Sequence, residues 1–448
     1  MKKILLYMVI LIGLSITACD SDINGAIDDY DNFSLTINGS DSTFFIGTVG
    51  ENYPIMGTLS NSAGSTQEIT VEDLAISDSE TEIYRYDNGV LKIIDQGTEI
   101  LTATYGSETV EIEIYVDEYV RGDLRAISPA DLERRAVSYS GYREGDSPDI
   151  PEYPSEAEIT EDLALLKQAG FGLLRLYDSG THALRTLNVI KNTYPDDFKV
   201  MLGVWITEAT PDENWVQTTS AIDFMNTGGE YDFSDIIVAV SVGNECTVDW
   251  NTWAPADPST IRKFVQYIRE NVSQPVTTDD NFAPYSGGSP KSLEVAKVVD
   301  FLAIHTYPAL DTAYALANSD VWKCLDTPEA ERAAAMNAWA VARAKDEYNQ
   351  VRTAMDGKGL TELPIVIGET GWKYRVASQN LMVNRAHPVN ASMYYNSMVD
   401  WIYGTGRSTN PDPVAAATEG PMALFYFEAF DEPWKQGDDG WGLFEISR

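Results

Sequence analysis

The stretch IIVAVSVGNE, residues 236–245, is a run of β-branched and small apolar residues that ends abruptly on an amide and a carboxylate. A strand with one wet face alternates apolar and polar residues. A continuous apolar run fits a parallel strand covered on both sides. Similar runs lie on either side of it, at Ala136–Ser140, Leu173–Tyr177, Lys199–Ile206, Pro275–Thr278, Phe301–Thr306, Pro364–Glu369 and Leu424–Phe430. Helical stretches separate them, among them Ile159–Ala169, Ser259–Glu270 and the Ala-rich Pro328–Met355. Eight strand–helix units predict an α/β fold, a (β/α)8 TIM barrel over residues 125–448.

The text before the barrel has a different period. Across residues 32–120, short alternating runs such as Phe33–Ile37, Glu99–Tyr105 and Val110–Val116 are separated by Gly, Asn, Asp and Ser. Period two with frequent turn signals predicts a small antiparallel all-β sandwich. It resembles the immunoglobulin-like modules of bacterial surface enzymes, where a passive spacer is the expectation. Residues 19–31 are acidic and aperiodic, as in a tether. Lys2 and Lys3 precede the apolar stretch Ile4–Ile16, which is short for a membrane span. Ile16-Thr17-Ala18-Cys19 then resembles a bacterial lipobox. That resemblance implies a signal peptide over residues 1–18, lipidation of Cys19, and anchoring in the bacterial cell envelope. The outer membrane, with the chain surface-exposed, is the expected site.

The formal charge of −38 and pI near 4.2 set a field that repels phosphate backbones, so nucleic acid is not an expected partner. A neutral polysaccharide carries no charge to repel. With 3 His in the chain and no EF-hand spacing, no metal site is expected, and no cofactor motif is present. Cys246 and Cys324 are too few for a disulfide framework, and Cys246 reads as a small buried packing residue. A monomer is expected.

In a TIM barrel the chemistry sits at the C-terminal ends of the strands. Two of these ends carry a glutamate: Glu245 in VGNE (242–245) and Glu369 in GETGW (368–372). Two carboxyl groups about 5–5.5 Å apart across one glycosidic bond serve a retaining glycosidase as nucleophile and acid/base. Arg175 lies in an otherwise apolar strand, and a buried arginine needs an anionic partner. Tyr177 follows it by two and shares its face. Trp205, Trp372 and Trp434 lie at or after strand ends, where an aromatic face can stack on a sugar ring.

These motifs, with FEAFDEPWK (427–435) and WGLF (441–444), resemble glycoside hydrolase family 17 of clan A, the β-1,3-glucanases and related glucanosyltransferases. The resemblance covers residues 134–448. It implies that Glu369 is the nucleophile, Glu245 the acid/base, and Arg175 the cation that keeps Glu369 ionised. Asn244 would bind the sugar 2-OH, Tyr307 would lie near the nucleophile, and Glu432 with Lys435 would form a supporting acid–lysine pair. The implied substrate is a β-1,3-glucan of the laminarin type, cut by double displacement, with endo action expected. Long segments at residues 309–360 and 376–390 leave endo and exo action open. Transglycosylation by the same glutamates, or glycan binding by an inactive barrel, are the alternative readings.

Overall fold

The computed structural model describes residues 32–445, except 40–43, 48, 63–64, 117–120, 151, 249–254, 288–289, 316–318, 377–380, 406–419 and 436–438. Cys19, the signal segment and the tether lie outside the described residues. The chain divides into two compact units, Met1–Glu118 and Tyr119–Arg448. Among the described residues no helix is long and apolar enough to cross a membrane.

The first unit is built from two small sheets. One orders β1 (Asn32–Ile37), β3 (Asn52–Ser60), β7 (Val90–Ile93) and β6 (Tyr84–Asp87), with β4 (Thr66–Ile69) also pairing β3. The other orders β2 (Phe44–Gly47), β9 (Glu108–Val116), β8 (Gly97–Tyr105) and β5 (Ala75–Ser77). Alternation sorts the side chains: in β9, Ile112 and Ile114 are buried while Glu111 is exposed. Phe33, Leu35, Ile55, Leu91, Leu101, Ile112 and Ile114 join in one core drawn from both sheets. One pairing departs from the antiparallel expectation, because β2 runs parallel to β9.

The second unit is the barrel. Its strands are β10 (Arg135–Ser138), β11 (Phe171–Arg175), β12 (Lys199–Val204), β13 (Ile237–Asn244), β14 (Val276–Asn281), β15 (Leu302–His305), β16 (Ile365–Thr370) and β17 (Leu424–Tyr426). They pair in that order, all parallel, and β17 closes on β10 through Ala136↔Phe425 and Val137↔Tyr426. Helices connect them. Glu156–Gln168 opens on a capping box between Ser155 and Glu158, and Glu329–Gly357 is the long Ala-rich helix.

Alternation also separates two cores in the barrel. Ala136, Leu173, Met201, Ala239, Ala303, Val366 and Phe425 pack together. Their strand neighbours Val137, Leu174, Val200, Val240, Ile304 and Ile367 belong to the larger core that includes residues of the surrounding helices. The smaller cluster is the barrel interior, filled with side chains as a closed barrel requires. Arg175 follows Leu173 by two and His305 follows Ala303 by two, so both point to the interior at its C-terminal end. Strand β14 runs further than its apolar text. Thr277, Thr278, Asp279, Asp280 and Asn281 are all buried, and the ladder continues through Asp279↔Ala303 to Asn281↔His305.

Candidate active site

Strand β13 ends on a sharp turn. Gly243 has φ +79° and Glu245 has φ +48°, both in the left-handed region. Glycine adopts this freely, and a Cβ at Gly243 would crowd Ile261 Cδ1 at 2.8 Å. A glutamate in that region costs on the order of 1–3 kcal/mol and persists only where the surroundings fix it. Here the Glu245 amide donates to the Asp279 carbonyl at 2.9 Å. Cys246 packs beneath the turn, buried, accepting from the Asn244 amide at 3.2 Å and donating to the Ile206 carbonyl at 3.3 Å. Burial pushes its thiol pKa up, away from nucleophilic use. Cys246 and Cys324 are both free thiols.

Strand β16 delivers Glu369 by an irregularity in its ladder. Ile304 pairs with Ile367, but His305 pairs with Glu369, so Gly368 is an extra residue. Strict alternation from the interior residue Val366 would turn Glu369 outward; the bulge turns it back toward the barrel mouth. Only glycine fits at the bulge, because a Cβ there would overlap Asp279 Oδ1.

Glu369 is buried and surrounded by donors. An Arg175 guanidinium N–H bonds its Oε1, Tyr177 donates to Oε1 at 3.1 Å, and Tyr307 donates to Oε2 at 2.7 Å. Burial would favour the neutral acid, but His305 and Arg175 beside it and the tyrosine bond lower its pKa to about 2. Arg175 itself is buried. Its remaining donors reach Asp279 Oδ2 at 3.1 Å and Asn244 Oδ1 at 2.6 Å, and its guanidinium carbon lies 4.6 Å from the Tyr177 ring centroid. One cation thus ties together β11, β13, β14 and β16.

His305 lies between the two glutamates. Nδ1 is 3.0 Å from Glu245 Oε1 and 3.5 Å from Glu369 Oε2, while Nε2 is 3.3 Å from Asp279 Oδ1. One donor atom each from Glu245, His305 and Glu369 lie within 4.8 Å of one another, a spacing that could hold a metal ion. A cation there would have to displace the His305 proton and sit beside the Arg175 guanidinium, so the donor set is better matched to protons than to a metal. The Glu245 side chain keeps 19% of its surface exposed against 6% for Glu369, so Glu245 is the carboxyl nearer solvent.

The other expected site residues fall into two groups. Asn244, Arg175, Tyr177 and Tyr307 join the network around Glu369. Glu432 and Lys435 meet across a short turn after β17, in a cluster that also takes in Glu428. Lys435 Nζ bonds Glu432 and lies 3.0 Å from Glu428 Oε2; Ser140 and Trp434 donate to Glu432 Oε1. Trp205 and Trp434 are half-buried. Trp372 departs from the expected sugar platform. It is buried against Trp322 and Tyr394, and its Nε1 is spent on the Arg385 carbonyl at 3.1 Å. At 3% exposure its ring presents almost no surface to a ligand, and in this structure it packs. His305, Asp279 and Glu428 are absent from the expected set. For His305 the sequence signal is its place two residues before Tyr307 at a strand end, and for Glu428 its place in the FEAFDEPWK motif; Asp279 carries no comparable signal.

Relatives are recognisable from sequence and from structure. The chain is 25% identical over 319 residues to a probable glucan endo-1,3-beta-glucosidase of Aspergillus terreus, a match covering 66% of this chain and 41% of that protein. It is 24% identical over 343 residues to a glucan 1,3-beta-glucosidase of Arthroderma benhamiae, covering 72% and 92%. The chain therefore spans about two fifths of the Aspergillus relative's length and most of the Arthroderma one. An endo-laminarinase from Formosa has a similar solved structure, with TM-score 0.60 and 26% identity over 71% of this chain and 85% of that one. Residues 136–444, from the first barrel strand to the last bridge after β17, match the BtgE/BtgC glycoside hydrolase domain, and to that family this chain belongs.

Proposed function

We propose that the chain is a family 17 β-1,3-glucanase, a retaining enzyme acting within glucan chains by double displacement. The observation that carries this reading is the pairing of an ionised, donor-wrapped Glu369 with Glu245, their nearest oxygens within 4.8 Å across the barrel mouth. That gap suits attack and protonation at a single bond and is too narrow for an inverting enzyme's water. Glu369 attacks the anomeric carbon and Glu245 gives its proton to the leaving oxygen. Water then enters, Glu245 takes its proton, and the glycosyl ester on Glu369 is released. Arg175 and Tyr307 stabilise Glu369 as an anion until attack, and Asn244, held by Arg175, presents its amide N–H to the sugar 2-OH. The activities for which the Aspergillus, Arthroderma and Formosa relatives are named support β-1,3-linked glucan as the substrate.

The test is a time course on a linear β-1,3-glucan with products resolved by size. A falling ladder of oligosaccharides supports endo hydrolysis. Products longer than the substrate would assign transglycosylation instead. Glu369→Ala is expected to abolish sugar release while leaving glycan binding largely intact. Absence of any release by the wild type would leave a binding protein on an inactive barrel. The Cys19 lipobox supports a lipid anchor. Labelling with a fatty-acid analogue should mark the wild type and not Cys19→Ala; equal labelling of both would reject the anchor.

A further inference from the structure

Three carboxylates meet one imidazole in the barrel mouth. His305 is fully buried, and both ring nitrogens face carboxylate oxygens: Nδ1 faces Glu245 and Glu369, and Nε2 faces Asp279. A neutral imidazole has a single N–H, so one of these contacts would set a lone pair against a carboxylate. The cluster therefore holds one more proton than a neutral ring with ionised acids. Asp279 accepts from Arg175 Nε at 3.1 Å and from the Ser241 hydroxyl, and Glu369 accepts from Arg175, Tyr177 and Tyr307. Both are wrapped by donors. Glu245 is the carboxyl closest to His305, and the only one of the three appreciably open to the mouth.

We propose that His305 is the proton partner of Glu245, so that the proton delivered to the leaving oxygen is held on the Nδ1–Oε1 hydrogen bond before substrate arrives. This rests on the assignment of Glu245 as acid/base. Two states differ by one proton moved along one 3.0 Å bond: imidazolium with carboxylate, or imidazole with carboxylic acid. Asp279 fixes Nε2–H in both, so the transferable proton always lies on the Nδ1–Oε1 bond. In the first half-reaction Glu369 bonds the anomeric carbon, the bond to the leaving oxygen breaks, and Glu245 gives that oxygen its proton. In the second, water bonds the carbon, the ester to Glu369 breaks, and the water proton returns to Glu245. His305 ends as it began, with no net gain or loss.

The charged surroundings favour retention of this proton. Burial alone would favour the neutral ring, but the Glu369 charge and the bonds to Asp279 and Glu245 raise the His305 pKa to about 10. The groups that face it are Glu245 on β13, Asp279 and Asp280 on β14, and Glu369 on β16; Arg175 on β11 bonds two of these carboxylates. The buried ring therefore keeps its second proton at neutral pH, one hydrogen bond away from Glu245.

The experiment compares wild type with His305→Gln on two substrates. Linear β-1,3-glucan has a poor leaving group that needs a proton; a dinitrophenyl β-glucan oligosaccharide has a good one that does not. On the glucan, kcat should fall about 100-fold or more, with the alkaline limb moved to lower pH and KM little changed. On the dinitrophenyl substrate the loss should stay below about tenfold, because only proton delivery has been removed. Equal losses on both substrates, or an unmoved alkaline limb, would overturn the proposal. A second readout needs neither the variant nor activity. The chain has 3 His, so nitrogen-15 histidine spectra of the full chain can resolve His305. Both ring nitrogens should be protonated near pH 7, with Nδ1 altered in Glu245→Gln. A neutral ring in the wild type whose Nδ1 signal is unchanged in Glu245→Gln would reject the shared proton even if β-glucan is cut. A protonated ring in a chain that releases no sugar would sink the glucanase reading alone.

Discussion

Arg175 and Asp279 form a buried pair, Nε to Oδ2 at 3.1 Å, while the same guanidinium bonds Glu369 and Asn244. Three partners in different directions suit a planar fork of fixed donors and not a point charge. Arg175→Lys keeps the charge but cannot serve all three. We expect kcat/KM on β-1,3-glucan to fall at least about 100-fold, with reduced thermal stability because a buried carboxylate loses a donor. Near wild-type kinetics in the lysine variant would mean that charge alone suffices.

The Tyr307 hydroxyl donates to Glu369 Oε2 at 2.7 Å, and its ring is fixed by Trp441 at 5.1 Å between centroids. Tyr307→Phe removes one donor and leaves the packing. A hydrogen bond to a charged group contributes roughly 1.5–3 kcal/mol, so kcat should fall about 10- to 100-fold. The bond helps hold the Glu369 pKa near 2, so without it that pKa rises and the acid limb of the pH–rate profile moves to higher pH. An unchanged acid limb would detach Tyr307 from the ionisation of Glu369.

A second pair of acids lies behind the site. Asp311 accepts from the Tyr307 amide at 2.7 Å; Glu347, on the long helix, accepts from Arg343 through Oε1, while its Oε2 has no hydrogen-bond partner among the described residues. Burial, aided by the neighbouring charge of Glu245 on Asp311 and of Asp311 on Glu347, raises Asp311 to about 7 and Glu347 to about 8. The folded state therefore binds protons that the unfolded chain has released. Their stabilisation is complete below about pH 4 and is lost as pH rises through 7 and 8. Glu369 acts oppositely and lower, losing its contribution as pH falls toward 2. Glu347→Gln should flatten the decline in unfolding free energy between pH 5 and 8, and gain about 1–3 kcal/mol at pH 8, where a buried carboxylate with one unsatisfied oxygen is most costly. Denaturant unfolding across that range checks it. Parallel curves for variant and wild type would contradict the shift.

The barrel is legible in the sequence because its strands are dry on both faces and therefore continuous in apolar text. Legibility fails where a strand reaches the mouth. VTTDDN, residues 276–281, is a fully buried strand written in polar letters, and an apolar criterion stops at Thr278, one residue short of Asp279. Glu245 and Glu369 are legible as acids at strand ends, but their orientation is not. It depends on a left-handed backbone at Glu245 and an extra residue at Gly368, which arise from pairing register and leave no periodic trace. The place of His305 follows from that register, since only the bulge brings it opposite Glu369. Trp372 shows the converse limit: its position after a strand end suits a platform and a packed core equally, and only its contacts with Trp322 and Tyr394 decide.

The bulge itself is open to test through one methyl group. A Cβ on Gly368 would overlap Asp279 Oδ1 and come within 3.1 Å of Ala303 Cβ and 3.2 Å of His305 Cδ2. Those neighbours are buried, and Asp279 is already tied to Arg175 and His305, so little can yield. Gly368→Ala should cost about 1–3 kcal/mol of stability, as overpacking in a dense interior does. It should cost activity disproportionately, because a shift of about 1 Å in a reacting group can reduce rate about 100-fold. Gly357, at the end of the long helix, serves as the contrast, since a methyl group there would meet no atom within 4 Å. Gly357→Ala should leave both the melting temperature and kcat near wild type. If Gly368→Ala melts lower but turns over β-1,3-glucan at the wild-type rate, the bulge is a packing feature and does not aim Glu369.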